Sequence, residues 1–279
     1  MSDRAAPFAR VLVGVDGSAR GDEATRQAAA LALPAANPVV LVHAIDANRP
    51  HDEDVEAGAE EALGRAAAVI RQAGGEPDAR MPAGDPGEVL VEEAREHGID
   101  LVCVGPDSSA LGGALRFGRV ATHVVREAPC SVLIARPAGP AFPSTILCGV
   151  DGSDASVGTA KVAAAIALAS GAELHLVHVV PVFRGRDAEW TLGADEESPP
   201  ELERSVEAVR RSGVEPVRDM AMGRPEHALV AGARRLQADL VVVGHRGLGP
   251  VKRRLLGSVS EHCASHAPCS VLVVRARDA

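Results

Sequence analysis

The segment Asp239–Ser260, DLVVVGHRGLGPVKRRLLGSVS, joins a short apolar run to a basic, glycine-rich loop and a Gly-Ser pair. The apolar run, residues 240–243, predicts a buried β-strand, and the Gly-Ser pair predicts the start of a helix. Glycines let a main chain approach a ligand closely, and the N–H groups at a helix start attract anions. The segment therefore predicts a phosphate site with the spacing Gly244-x2-Gly247-x9-Gly257-Ser258.

Three landmarks of the chain occur twice in the same order. RVLVGVDGSA (Arg10–Ala19) recurs as TILCGVDGSD (Thr145–Asp154), an offset of 135 residues counted from 16 to 151. The strand that ends at Gly105 recurs before Gly244, and APCSVLIARP from residue 128 recurs as APCSVLVVRA from residue 267, both at an offset of 139. An internal duplication follows. We expect domains at 1–137 and 145–279, joined by the Pro/Gly-rich linker 138–144.

Each half has the same predicted order of elements, in which short apolar strands alternate with helices. Strands that are apolar throughout their length are typical of a parallel sheet that is covered on both faces. The sequence therefore predicts an α/β fold with two tandem domains, each a five-stranded parallel sheet. We expect Arg184–Pro200 to be a surface excursion. The predicted strands are Val11–Val15, Val39–His43, Glu76–Met81, the run before Gly105 and Ser131–Ala135, then Ile146–Val150, Leu174–Val179, Val214–Met222, Leu240–Val243 and Ser270–Val274.

Composition limits the classes of partner. Aromatic residues make up 2% of the 279 residues, and the formal net charge is −9. Single-stranded nucleic acids are usually bound on aromatic platforms, and DNA and anionic membranes on basic surfaces, so neither nucleic acid nor membrane is expected. Five cysteines without a CxxC pair argue against zinc or a disulfide framework. The N-terminal residues lack an apolar signal region, and we expect a cytoplasmic protein.

Ligands of parallel sheets bind beyond the carboxyl ends of the strands, where the strand order reverses. GVDGS and the glycine loop both follow such strand ends, so we expect them to meet in one crevice. The ordered set VGVDGS, LVHVV, Gly-x-Pro before a helix, ADLVVVG, the glycine loop and APCSVLVVR resembles the universal stress protein family. The likeness extends over nearly all of both halves. It implies two tandem Rossmann-like (adenine nucleotide α-hydrolase-like) domains, of which the second resembles the ATP-binding class.

The resemblance also implies the ligand and the residues around it. ATP, with Mg²⁺ on its phosphates, is the expected cofactor, and a role in stress or dormancy is the expected function. Family members pair through the fifth strand, which here implies an internal pseudo-dimer, with a homodimer as a further arrangement. Asp151 would contact adenosine and Val179 would pack against adenine. The phosphates and ribose would be surrounded by Gly244, Arg246, Gly247, Gly257, Ser258, Val259 and Ser260, and the adjoining strand ends add Val150, Gly152, Ser153 and Val243.

The first half departs from this pattern. Ser108 replaces the middle glycine, and Arg119 stands at the position of the serine. A Cβ at the middle position restricts the approach of the main chain to phosphate, and Asp107 places a carboxylate near the anion. Arg119 adds a charge that can pair with phosphate. We therefore expect the main site in the second domain, with weaker candidates in the first at Asp16, Gly105 and Gly118.

Several of these residues have a structural alternative. Ser258 can be the N-cap of its helix, and Asp16 is better explained as a turn residue, whereas for Asp151 binding is favoured. His43 and His178 are better explained as buried, hydrogen-bonded side chains than as catalytic groups. The loop cations either attract ATP or cover a solvated surface: Arg246, Lys252, Arg253 and Arg254.

The leading hypothesis is an ATP-binding regulator that acts through a protein partner not identified by the sequence. No nucleophile–base pair adjoins the loop, so no catalytic residue or protein metal ligand is predicted, and ATP hydrolysis is expected to be weak at most. The alternatives are a slow Mg²⁺-dependent ATPase, a site for cyclic AMP or another adenosine ligand, and a nucleotide-independent interaction protein.

Overall fold

The computed structural model describes residues 8–32, 39–46, 53–106, 118–181, 189–192, 198–245 and 256–275. The chain divides into two compact units, Met1–Pro137 and Ala138–Ala279. Each unit has its own α/β architecture, as the sequence predicts, with helices on both faces of a parallel-dominated sheet.

The sheet of the first unit has the strand order β3-β2-β1-β4-β5, and its strand pairs are parallel. The order reverses between β1 and β4, which makes this the switch point of the sheet. The strands are β1 Val11–Gly14, β2 Val39–Val42, β3 Pro77–Arg80, β4 Leu101–Val104 and β5 Ser131–Ile134, and the helices are α1 Ala19–Ala32, α2 Glu53–Gln72, α3 Pro86–Glu96 and α4 Arg119–Glu127.

The sheet of the second unit has the order β11-β10-β6-β7-β9-β8. Its switch point lies between β10 and β6, the counterparts of β4 and β1. The strands are β6 Thr145–Val150, β7 Glu173–Pro181, β8 Glu189–Leu192, β9 Val217–Gly223, β10 Leu240–Gly244 and β11 Ser270–Val274, and the helices are α5 Asp154–Ser170, α6 Pro200–Arg210, α7 Pro225–Arg235 and α8 Ser258–His266.

The second unit has a sixth strand that the sequence analysis did not predict. Strand β8 lies in the segment expected to be a surface excursion, and it pairs antiparallel with β9, with Trp190 opposite Ala221. Tryptophan and threonine are good strand formers, and β9 would otherwise be the edge of this sheet. The five-strand prediction is therefore wrong for this unit. Strand β9 also begins at Val217 rather than at 214, directly after Pro216, which has no N–H to donate to a ladder.

The helices pack in pairs, α1 with α2 and α3 with α4 in the first unit, and α5 with α6 and α7 with α8 in the second. Because crossovers between parallel strands are right-handed, the strand order places the two pairs of a unit on opposite faces of its sheet. Most residues of the central strands are buried, and the cores are built almost entirely from valine, leucine, isoleucine and alanine. Among the helices in the described part of the chain, none has the length and apolar character that crossing a bilayer requires.

Candidate functional site

The strand register of the second unit brings the two sequence motifs to one edge. Leu240 pairs with Ile146 and Val242 with Cys148. The same register places Gly244, the last residue of β10, level with Val150, the last residue of β6. The DGS turn and the start of the glycine loop therefore leave neighbouring strands at the carboxyl edge, at the switch point of the sheet.

The two ends of the glycine loop are held together by hydrogen bonds. The N–H of Gly257 donates to the His245 carbonyl over 3.0 Å. The Ser260 hydroxyl lies 2.9 Å from the Gly257 carbonyl and 3.2 Å from the His245 carbonyl, and its residue is 1% exposed. His245 is in turn tied to β11, because its N–H donates to the Val274 carbonyl over 2.7 Å. These bonds fix the end of β10 against the start of α8.

The start of α8 differs in one detail from the sequence prediction. Gly257, with φ −69° and ψ 148°, is the N-cap, and no side chain caps this helix. The alternative role of Ser258 as the N-cap is therefore wrong, because it is the first helical residue and its side chain is exposed. The N–H groups of a first helical turn have no acceptor within their own helix. The N–H groups of Ser258 and Val259 belong to this turn. The Ser260 hydroxyl, by contrast, is hydrogen-bonded to main-chain carbonyls.

Part of the predicted site lies outside the described residues. This applies to Arg246 and Gly247 and to the cations Lys252, Arg253 and Arg254, as it does to Asp107 and Ser108 in the first half. Val150, Val179 and Val243 are described and are 5%, 7% and 2% exposed. Val179 lies near the carboxyl end of β7, opposite Ala221.

Asp151 organises the turn that follows β6. Its Oδ1 accepts hydrogen bonds from the Ser153 N–H at 3.0 Å and from the Ser153 hydroxyl at 2.6 Å. The Ser153 Oγ in turn accepts from the Ser156 N–H and caps α5. Asp16 and Ser18 make the same bonds in the first unit. One carboxylate oxygen thus has a turn role in both halves.

An arginine that the sequence analysis missed supports each turn. Arg204 donates to the Gly152 carbonyl over 2.8 Å and to Asp154 over 2.6 Å. Arg65 donates to the Gly17 carbonyl over 3.1 Å. The two arginines are 139 residues apart, counted from 65 to 204, so the repeat offset that aligns the glycine loops also aligns them. A residue-by-residue search of the repeat would have found the pair.

The two repeated histidines lie beside these turns. His178 Nδ1 is 3.1 Å from the Val150 carbonyl, and the half-buried ring therefore has the hydrogen-bonded structural position that the sequence analysis favoured. Burial lowers the pKa of His43, and the nearby Asp16 only partly opposes this. His43 is thus held in its neutral form at physiological pH.

In the first unit an ion pair occupies the corresponding helix start. Gly118 is the N-cap of α4, and the Arg119 guanidinium lies 2.8 Å from Asp85 Oδ2. Asp85 also caps α3, since its Oδ1 accepts from the N–H groups of residues 87 and 88. Burial alone would raise the pKa of Asp85, but these N–H groups and Arg119 together hold it below its usual range. The second unit has Arg224 where the first has Asp85, and Arg224 pairs with Glu226.

Gly105 has a packing role in the first unit. A Cβ at this position would lie 3.1 Å from the main-chain carbonyl of Arg20 in α1.

As for metal sites, the described ranges contain no group of three or more histidine, cysteine, aspartate or glutamate side chains placed to hold an ion.

Both halves of the chain are similar to proteins of one family. The family model described as Universal stress protein family matches residues 7–136 and 144–275. A universal stress protein of Thermus aquaticus is 41% identical over 140 residues, which is 47% of this chain and 98% of that protein. The crystal structure of a universal stress protein from Archaeoglobus fulgidus covers 95% of this chain and 98% of its own, with a TM-score of 0.75 and 20% identity. A universal stress protein solved in complex with cAMP matches 47% of this chain and 99% of its own, with 26% identity and a TM-score of 0.40.

Proposed function

Because the chain belongs to the universal stress protein family, whose model matches both of its halves, we propose that its second unit binds an adenine nucleotide and that occupancy of this site regulates a protein partner. ATP with Mg²⁺ is the proposed ligand. The observation that carries the proposal is the closed base of the glycine loop, where His245, Gly257 and Ser260 are joined by hydrogen bonds.

The chemistry at the hydrogen-bonded ends of the glycine loop suits a phosphate tail. The first turn of α8 presents main-chain N–H groups and the positive end of the helix dipole, and the side chain of Ser258 is exposed beside them. No side chain caps the helix, so none competes for these donors among the residues described. Arg246 and Gly247 complete the proposed anion site. The adenosine part is assigned to the neighbouring strand ends at Asp151 and Val179.

The first unit is proposed to bind nucleotide weakly or not at all. Its helix start carries Arg119, which is paired with Asp85, and a bound phosphate would have to compete with that carboxylate. The middle glycine of the loop pattern is replaced by Ser108. These differences make the second unit the main site.

Titration calorimetry on the full chain tests this with ATP, ADP, AMP and cyclic AMP, each with and without Mg²⁺. The variant Gly257→Glu adds bulk and negative charge at the N-cap of α8, and Gly118→Glu makes the same change at α4. We expect Gly257→Glu to weaken ATP binding by more than about tenfold, which is ~1.4 kcal/mol, and Gly118→Glu to leave it near the value of the unaltered protein. No heat from any of the four ligands, or equal losses in both variants, would contradict the proposal.

The same measurements separate the alternatives. Preference for cyclic AMP over ATP would identify an adenosine ligand without a triphosphate. Phosphate release faster than about one per second with Mg²⁺ would identify an ATPase. A nucleotide-independent interaction protein would keep its function in the Gly257→Glu variant.

Assembly is a separate proposal. Pairing of the two units through their fifth strands would satisfy the family's pairing mode within one chain, so that the protein need not dimerise. Light scattering of the full chain, with and without ATP, distinguishes a monomer from a homodimer.

A further inference from the structure

Three histidines form a stack on the face of the second unit where α7 and α8 meet. The ring centroids of His227 and His262 are 4.7 Å apart with an interplanar angle of 18°. Those of His262 and His266 are 4.2 Å apart at 16°. His227 lies on α7, and the other two lie one turn apart on α8. The stack is therefore a contact between the two helices.

The surroundings of the central ring disfavour its charged form. Burial lowers the pKa of His262, and repulsion from His266 and His227 lowers it further. Glu226 opposes the decrease, and Arg224 adds to it. The two strands on which α8 also packs, β10 and β11, have the sequences LVVVG and SVLVV and contribute no charge.

The first unit provides a natural comparison. At an offset of 139 residues, His227, His262 and His266 correspond to Glu88, His123 and Glu127. The central histidine is thus matched in both halves, but its two partners are acidic in one and basic in the other. Helices α3 and α4 pack together as α7 and α8 do. A positive charge on the central ring would thus have acidic residues at the partner positions in the first unit and two further histidines there in the second.

We propose that the histidine stack is a proton-responsive contact, which holds α8 against α7 while its central ring, His262, is neutral and loosens α8 when that ring becomes protonated. This inference does not depend on nucleotide binding. The direction follows from linkage. The folded protein binds a proton at His262 less readily than the unfolded chain does, in which the pKa of histidine is about 6.5. The contribution of the neutral stack to stability is therefore fully present above that pH and is lost as the pH falls.

Hydrogen exchange followed by mass spectrometry tests the proposal on the full chain without nucleotide. Amide protection in residues 258–266 is compared between about pH 7.5 and about pH 5.5, after correction for the intrinsic exchange rates. We expect protection in α8 to fall about two- to fivefold at the lower pH, because a positive charge on His262 is repelled by its neighbours His227 and His266. Residues 119–127 in α4 are the internal control and should not lose protection in this way.

The double variant His227→Glu/His266→Glu gives α8 the partners that α4 has. We expect it to remove the loss of protection at low pH and to raise the pKa of His262, as followed by NMR of the imidazole nitrogens. His227 is exposed, so the single substitution His227→Gln serves as a milder second variant. It should reduce the loss of amide protection in α8 at low pH. Equal changes in α4 and α8, or a loss that persists in both variants, would overturn the proposal.

Discussion

Gly152 occupies a position where a side chain meets both strain and crowding. Its φ is +80°, and a Cβ would lie 2.7 Å from the Cβ of Glu201 and 3.0 Å from its Cα. The matched residue of the first unit, Gly17, has φ +76°, but its nearest neighbour is Ala62 at 3.4 Å. The backbone conformation is thus shared, while the space around it differs.

Replacement of these two glycines by alanine should separate the two effects. We expect Gly17→Ala to cost about 1–2 kcal/mol from the left-handed conformation alone. Gly152→Ala should cost about 2–5 kcal/mol, since crowding against Glu201 is added. Urea unfolding of the full chain measures both. Adding Glu201→Gly to Gly152→Ala removes the Cβ and Cγ that the new methyl group would meet. It should recover part of the crowding cost relative to Glu201→Gly alone, and no recovery would show that crowding is not the cause.

At the scale of single elements, Asp85 connects two helix starts. Its Oδ1 caps α3, and its Oδ2 pairs with Arg119 at the start of α4. The cap is made to main-chain N–H groups, whereas the side chain of the ion-pair partner is 76% exposed. The cap should therefore contribute more to stability than the ion pair.

Two substitutions distinguish these contributions. Asp85→Ala removes both and should lower the free energy of unfolding by about 1–2 kcal/mol. Arg119→Gln removes only the exposed pair and should cost less than about 1 kcal/mol. Urea titrations under matched salt conditions give the values. A loss from Arg119→Gln as large as that from Asp85→Ala would mean that the ion pair, and not the cap, is the main contribution.

The elements also show what the sequence can and cannot predict. The central strands were predictable because continuous apolar runs have few alternatives in a covered sheet, and Leu240–Gly244 is an example. Strand β8 was missed because an edge strand of four residues depends on its partner β9 rather than on its own pattern. Ser260 shows the same limit within the site. Its sequence position suggests a ligand contact, but its buried hydroxyl reaches carbonyls whose positions only the fold determines.

At the scale of the whole chain, the pH dependence of stability combines histidines whose pKa values are shifted in opposite directions. Burial alone would lower the pKa of His175, but its hydrogen bond to the buried Asp219, at 2.7 Å, and the nearby Glu173 raise it. A raised pKa in the folded state means that this pair stabilises the protein below about pH 6.5, and that the contribution is lost as the pH rises through the folded pKa.

The variant His175→Gln tests this prediction. The difference in free energy of unfolding between the original protein and the variant should be largest near about pH 6 and should shrink towards about pH 8.5. Urea unfolding at three pH values measures the difference. A difference that stays constant or grows with pH would contradict the assigned shift. The His262 contribution has the opposite dependence, so the variant must be compared with the original protein at each pH.

The hydrogen-bonded base beneath the glycine loop has a consequence for engineering. Residues 245, 257 and 260 close this frame through main-chain groups and one hydroxyl, so these hydrogen bonds need no side chain from the sequence between the two ends of the loop. Grafting loop sequences of equal length from nucleotide-binding proteins between residues 245 and 256 would thus offer a route to a chosen ligand without redesign of the strands.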